Sequence, residues 1–175
     1  EQFAFGNFGW NQGWDPAKHV RLLADINNDM KADIVAFGDA GVWTALATGD
    51  GRFEPERFVL ANFGYDQAWR NEKHVRLLAD INNDNQADIV AFGDAGVWTA
   101  LATGDGGFAP ETFVRANFGY DQGWRGELHE RRVGDINNDN RADIVAFGDA
   151  GVWTALANGS GAFAPENFVL ADLGY

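Results

Sequence analysis

The string Asp-Ile-Asn-Asn-Asp, followed by Ala-Asp-Ile-Val-Ala-Phe-Gly-Asp-Ala-Gly-Val-Trp-Thr-Ala-Leu-Ala, begins at Asp25 and returns at Asp80 and Asp135, a period of 55 residues. All three His (His19, His74, His129), all three Tyr (Tyr65, Tyr120, Tyr175) and six of the seven Trp occupy fixed places in that period. A chain that places its rarest side chains this way is an array of one structural unit. Three periods leave ten residues over, and these form a duplicated end: Glu1 to Trp10 matches Glu166 to Tyr175. The expected organisation is a head strand with the start of a loop at 1–10, then units at 11–62, 63–117 and 118–175, the last carrying a tail strand.

Within one period the segments His74 to Asp80, Asp88 to Gly93, Val97 to Thr103 and Phe108 to Ala116 are rich in Val, Phe, Trp and Leu and bounded by Gly, Asn, Asp or Pro. They read as four strands. Asp88-Ile-Val-Ala-Phe is apolar on both faces, so each small sheet must be covered on both sides. Four-stranded antiparallel sheets stacked face to face make an all-β propeller. A β-solenoid fits less well, because three tight turns per period suit a meander better than a coil of parallel rungs. No window of about 12 residues is free of Gly or a turn cluster, which disfavours helix. Propellers close with roughly four to eight blades, so three repeats leave the ring open and point to a second chain, a homodimer, to complete it.

The charge balance narrows the partners. With 26 acidic against 13 basic residues the net charge is -13, a field that repels a phosphate backbone, so no nucleic acid is expected. No apolar run approaches the roughly 18 residues of a membrane helix, so no membrane span is expected. The absence of Cys excludes disulfides and thiolate chemistry. The sequence opens on Glu1 without an initiator Met, which hints at processing or at a boundary within a longer chain, and Asn158-Gly159-Ser160 is a glycosylation sequon on a turn. The sequon is a slight pointer to a secreted or extracellular protein.

The loop between the first two strands is the strongest chemical motif. In the second repeat it offers Asp80, Asn82, Asp84 and Asp88 at loop positions one, three, five and nine, with the carbonyl of Gln86 as a fifth donor. Oxygen donors at that spacing wrap a hard cation, Ca²⁺, about one per repeat. The other copies are Asp25, Asn27, Asp29, Lys31, Asp33 and Asp135, Asn137, Asp139, Arg141, Asp143. An EF-hand is excluded, since position twelve holds Ala91 where a bidentate Glu is needed. Asp and Asn also form turns without metal. Against that, three carboxylates drawn to about 5 Å repel by roughly 3 kcal/mol per pair at an effective dielectric of 20.

A second constellation lies in the connection between units. Trp69, Arg70 and His74, with Asp94 from the turn on the same rim, combine an aromatic face, cationic or imidazole donors and a carboxylate, a set able to hold a sugar. Its counterparts are Trp14, His19 and Asp39, then Trp124, Arg125, His129 and Asp149. Such a Trp can equally cover a blade junction, and such a His can satisfy a carbonyl. The strand tryptophans Trp43, Trp98 and Trp153 read as inter-blade core.

Asp-x-Asn-x-Asp-x-x-x-Asp followed by Ile-Val-Ala-Phe-Gly resembles the FG-GAP repeat of integrin-type propellers. Asn62 to Phe108 and Asn117 to His129 are similar to the blades of Psathyrella velutina lectin-like propellers. That resemblance covers nearly the whole chain. It implies a ring of seven blades with calcium in these loops, and inter-blade pockets that hold N-acetylglucosamine and also sialic acid. The sequence departs from the pattern at Asp15-Pro16, which replaces Arg70-Asn71, and at Glu130 and Arg132, which replace Val75 and Leu77. A multivalent, calcium-stabilised lectin for terminal N-acetylated sugars is therefore expected. The alternative is a calcium-stabilised protein-interaction or adhesion propeller of integrin type. An enzyme is not expected: Asp66 and Asp94 could be forced into the role of a glycosidase's carboxylate pair, but catalytic sites rarely come as three equivalent copies, and no apolar pocket for a general acid is evident.

Overall fold

The computed structural model describes residues 6–171. The chain is all-β, with three four-stranded antiparallel sheets, each a simple meander. The first blade contains β1 (Val20–Ala24), β2 (Asp33–Phe37), β3 (Val42–Ala45) and β4 (Arg57–Leu60). The second contains β5 (Val75–Ala79), β6 (Asp88–Phe92), β7 (Val97–Ala100) and β8 (Thr112–Arg115). The third contains β9 (Arg131–Gly134), β10 (Asp143–Gly148), β11 (Gly151–Ala155) and β12 (Asn167–Ala171). Helical structure among the described residues is limited to 3-10 turns at Trp10–Gln12, Tyr65–Gln67 and Tyr120–Gln122. The ring is not closed in this chain. The head and tail segments are only partly visible, since 1–5 and 172–175 lie outside the described residues.

Two strand boundaries differ from the sequence reading. The third strand stops at Ala100 and the fourth starts at Thr112, with Ala102 and Phe108 joined only by an isolated bridge. Asp88 Oδ1 takes the N–H of Ala102 at 2.8 Å, Gly104 and Gly106 have φ of 81° and 83°, and Pro110 has no N–H to donate. Each removes a ladder position, so the strand breaks where propensity alone would extend it.

Burial follows the expected two-sided pattern. Every residue of β6 is buried. Phe37, Val35, Ile26 and Phe63 pack with Ile89 and Trp69 between blades 1 and 2, and Val90, Phe92 and Phe118 pack with Ile144 and Trp124 between blades 2 and 3. Each fully buried Phe, Ile or Val contributes about 1.5–3 kcal/mol, so the stacked junctions hold most of the fold's stability. Polar contacts repeat with them. Thr44 Oγ1 donates to Gly106 O and Thr99 Oγ1 to Gly161 O, both at 2.7 Å, and the N–H groups of Ala87 and Ala142 donate to Asp25 O and Asp80 O.

A charged residue also lies in each inner junction. Arg76 is 3% and Arg131 1% exposed, each lying over a Phe of the preceding blade and donating to the carbonyl of Phe63 or Phe118. Burial pulls both guanidinium groups down to about 10, so they stay cationic at neutral pH. Glu130 and Arg132, which break the apolar pattern of β5 in the third repeat, face each other as an exposed ion pair.

Candidate functional site

The connection between blades is held at both ends. After β4, the N–H groups of Tyr65 and Asp66 donate to Gly38 O and Asp39 O, seating the 3-10 turn on the β2–β3 turn of the preceding blade. Beyond it Ala68 adopts φ 67°, reversing the chain so that Trp69 turns inward. The Trp69 ring lies under Gly93 of the next blade, where a Cβ would meet its Cη2 at 3.1 Å; only glycine fits there without displacing the indole. Trp69 Nε1 donates to Asn62 Oδ1 at 3.1 Å, and Asn62 Nδ2 donates to Glu111 at 2.7 Å. Asn7 with Glu56, and Asn117 with Glu166, repeat that bond.

His74 is the second anchor. The N–H of Arg70 donates to His74 Nδ1 at 3.1 Å, so Nε2 carries the proton and donates to Asp94 Oδ1 at 2.9 Å. Desolvation holds the His74 imidazole below its ordinary value, against the opposing pull of Asp94. The pairs His19–Asp39 at 3.0 Å and His129–Asp149 at 2.8 Å repeat the arrangement.

These groups surround a pocket of about 400 Å³ whose lining includes Asn62, Trp69, His74, Asp94, Ala95 and Trp98. The structure thus brings Trp69, His74 and Asp94 together. It keeps Arg70 out: its guanidinium lies 3.7 Å from the centre of the Tyr65 ring and donates to the carbonyls of Tyr65 and Trp69. Arg125 does the same over Tyr120. In the first copy Asp15 stands at that place, and its N–H donates to His19. Trp69 is only 7% exposed, so it forms the pocket wall with little free face. Trp98, read from sequence as core, is half-buried and lines the pocket. Its signal was visible in the sequence as a strand Trp beside the Asp94 turn, but alternation alone does not reveal which face opens on a cleft. The pocket therefore offers aromatic surface, a half-exposed carboxylate with one oxygen beyond the His bond, and the Asn62 and Gln67 amides.

The opposite rim carries the Asp-rich loops. Asp80 accepts N–H groups from Asn82, Asn83, Asp84 and Asn85, Asn82 Oδ1 accepts from Asp84, and Asp84 Oδ1 accepts from Gln86. Asn83 and Asn85, with φ of 67° and 63°, supply the reversals that wind the loop around these side chains. Asp88 is fully buried and accepts from Ile81 and Ala102. Desolvation, reinforced by Asp84 and Asp80, pushes its carboxyl up to about 7. Among the described residues no three acidic or imidazole side chains converge as a ready cluster. The donor chemistry still suits a hard cation, because the second loop concentrates oxygen donors and carries no basic side chain from Asp80 to Asp88. In loops one and three a basic side chain also lies beside the central carboxylate: Lys31 Nζ is 2.6 Å from Asp29 and Arg141 Nη2 2.5 Å from Asp139.

Comparison with known proteins agrees with this architecture. Residues 80–146 match the FG-GAP-like repeat family. The chain is similar to an Agrocybe aegerita lectin whose structure is described as the basis of specific recognition of non-reducing terminal N-acetylglucosamine. The two are 38% identical with a TM-score of 0.92 over 95% of this chain and 42% of that one. The chain thus spans about two fifths of that lectin's length. It also resembles the TcdB2-TccC3 structure at 16% identity and TM-score 0.67 over 89% of this chain and 7% of that one. A Photorhabdus luminescens Tc holotoxin pore matches at 15% identity and TM-score 0.60, over 86% and 7%. At such identities the likeness is one of fold alone. Curated proteins gave no match. What the chain is similar to, at the level of sequence as well as fold, is the repeating blade of a lectin propeller.

Proposed function

We propose that this chain is a multivalent carbohydrate-binding lectin that takes terminal N-acetylated sugars, N-acetylglucosamine foremost and sialic acid as a second ligand, in its inter-blade pockets. The observation that carries the reading is the coincidence of two facts. The chain follows a lectin that recognises terminal N-acetylglucosamine over 95% of its own length, and each blade repeats a buried Trp and a buried His paired with an exposed Asp at one pocket wall. Trp98 would pack against the acetyl group or ring face, and the free oxygen of Asp94 would accept from hydroxyls. The role is binding, without catalysis.

A shallow site of this kind supplies about 4 kcal/mol, a roughly millimolar affinity. Repetition on one rim compensates, because glycans displayed on a surface engage several sites at once. Ca²⁺, held by Asp80, Asn82, Asp84, Asp88 and the Gln86 carbonyl and by their counterparts, would neutralise the opposite rim. A second copy would complete the ring. Work on displayed glycans fits an extracellular setting, and the sequon residue Asn158 is exposed. Titration calorimetry with N-acetylglucosamine on calcium-loaded protein tests the reading. Heat that saturates at millimolar sugar is expected; none at tens of millimolar would overturn it in favour of the protein-interaction propeller.

A further inference from the structure

We infer that the pocket of the first blade is assembled in trans, the loop carrying Trp14 seating on blade 3 of a second copy as the loop carrying Trp69 seats on blade 1 within the chain. The inference rests on the ring being completed by a second copy and names how that copy docks.

Each junction inside the chain repeats one set of contacts, and among the described residues each contact leaves one half over on blade 1 and the other on blade 3. The amides of Tyr65 and Asp66, and of Tyr120 and Asp121, donate to the turn of the preceding blade. Among the described residues their counterparts in the head segment, Trp10 and Asn11, find no such turn. The turn on which no described loop sits is that of blade 3, where Gly148 pairs with Gly151 across the hairpin and the Asp149 side chain is 91% exposed, against 55% and 51% for Asp39 and Asp94. The first pocket therefore has its wall but lacks the support under its loop.

The packing repeats the pattern. Leu46 presses on Gly106 and Leu101 on Gly161, so closely that a Cβ on either glycine would lie 2.8 or 3.0 Å from the leucine. Left over are Leu156, 40% exposed, and Gly51, whose Cβ would meet nothing within 4 Å. Thr44 and Thr99 donate across their junctions to Gly106 O and Gly161 O; Thr154 and the Gly51 carbonyl are the halves that remain. Ile26 and Ile81 are 0% exposed and Ile136 is 50%.

One repeated pair even changes its chemistry at the open ends. Lys18 lies over Tyr65 at 4.8 Å and Lys73 over Tyr120 at 4.6 Å. Among the described residues the same two positions at the open junction hold Leu128, 70% exposed, and Trp10, 69% exposed; the tail repeats the second position with Tyr175, which lies outside the described residues. A cation over a phenol tolerates water, whereas two bare apolar side chains gain by meeting. Two copies make a six-bladed ring, within the roughly four to eight blades that close, and three copies would exceed it. The two junctions of such a pair are related by a twofold axis, so one interface occurs twice.

The test measures mass by light scattering, amide exchange at Trp10 and Asn11 by NMR, and sugar stoichiometry by calorimetry, on the whole chain and on Leu156→Arg and Leu23→Glu. These variants alter opposite faces, both at solvent-exposed residues outside the pockets. The whole chain should have twice the mass of one chain, Trp10 and Asn11 amides as protected as those of Tyr65 and Asp66, and three sugars per chain. Each variant should halve the mass, speed exchange at Trp10 and Asn11 by about tenfold or more while sparing Tyr65 and Asp66, and reduce the stoichiometry to two. A monomeric whole chain, or Trp10 and Asn11 amides that exchange freely in it, would overturn assembly in trans. Protection and dimer mass without any heat from sugar would instead sink the carbohydrate reading and leave the docking intact.

Discussion

The two rims of the blades are built from the same repeat by different means. On the cation rim, carboxylates turn inward onto the amides of their own loop, and a buried Asp ties that loop to the strand beyond: Asp88 to Ile81 and Ala102, Asp33 to Ile26 and Ala47. On the pocket rim, a long connection is held by a buried Trp and a His–Asp pair, and it joins two blades. The first rim concentrates like charge in a local loop; the second depends on neighbours. One should therefore respond to cations and leave sugar contacts alone, and the other should do the reverse.

The largest expected effect comes from removing metal. An ion present at about 1,000 times its Kd stabilises by roughly 4 kcal/mol, so chelator should lower the melting temperature by on the order of 10 °C, with the sugar titration unchanged at temperatures below the lowered transition. An unchanged melting curve would show that amide bonds alone hold the loops, and the contrast between rims would lose one side.

Next is the opposite rim. Trp98→Ala should weaken N-acetylglucosamine at the second pocket by about tenfold, near 1.4 kcal/mol, with the chelator response retained. Equal losses of sugar affinity and of the calcium effect would mean that the rims are coupled through the blade.

On the pocket rim acid acts through His74, while on the cation rim the Asp88 carboxyl, held at about 7, takes up a proton over the same range. The His74 imidazole is held below its ordinary 6.5 by burial, so the unfolded chain takes the proton more readily. The stability it contributes is complete above about 6.5 and is lost as pH falls through the lower folded value. Between pH 7 and 5 the melting temperature should fall more, or rise less, in the native chain than in His74→Gln, since the opposing contribution of Asp88 is common to both; identical slopes would assign the acid sensitivity elsewhere.

The smallest effect sharpens the cation rim itself. Gln86→Lys would place an ammonium beside Asp84, as Lys31 stands beside Asp29, so the chelator-induced drop in melting temperature should shrink while the sugar titration stays unchanged. A full-sized drop would show that the basic side chains of loops one and three do not substitute for a metal.

Much of this molecule was fixed by local pattern. The period, the four strands per repeat, the two-sided burial of Asp88 to Phe92 and the division into two rims all follow from residue spacing, because strand alternation and Gly or Asp turns act over a few residues and repeat three times. The tertiary structure decided the rest. It assigned Arg70 to the Tyr65 ring and brought Trp98 to the pocket, since which side of a half-buried strand meets a cleft depends on the neighbouring blade. It ended the third strand at Ala100, since the Asp88 carboxylate, fourteen residues away, claims the amide of Ala102. It also showed that Leu156 and Gly51, identical to their counterparts in sequence, differ from them in exposure or contact. A repeat writes the same letters at every junction, and only the arrangement in space tells which of them have met a partner.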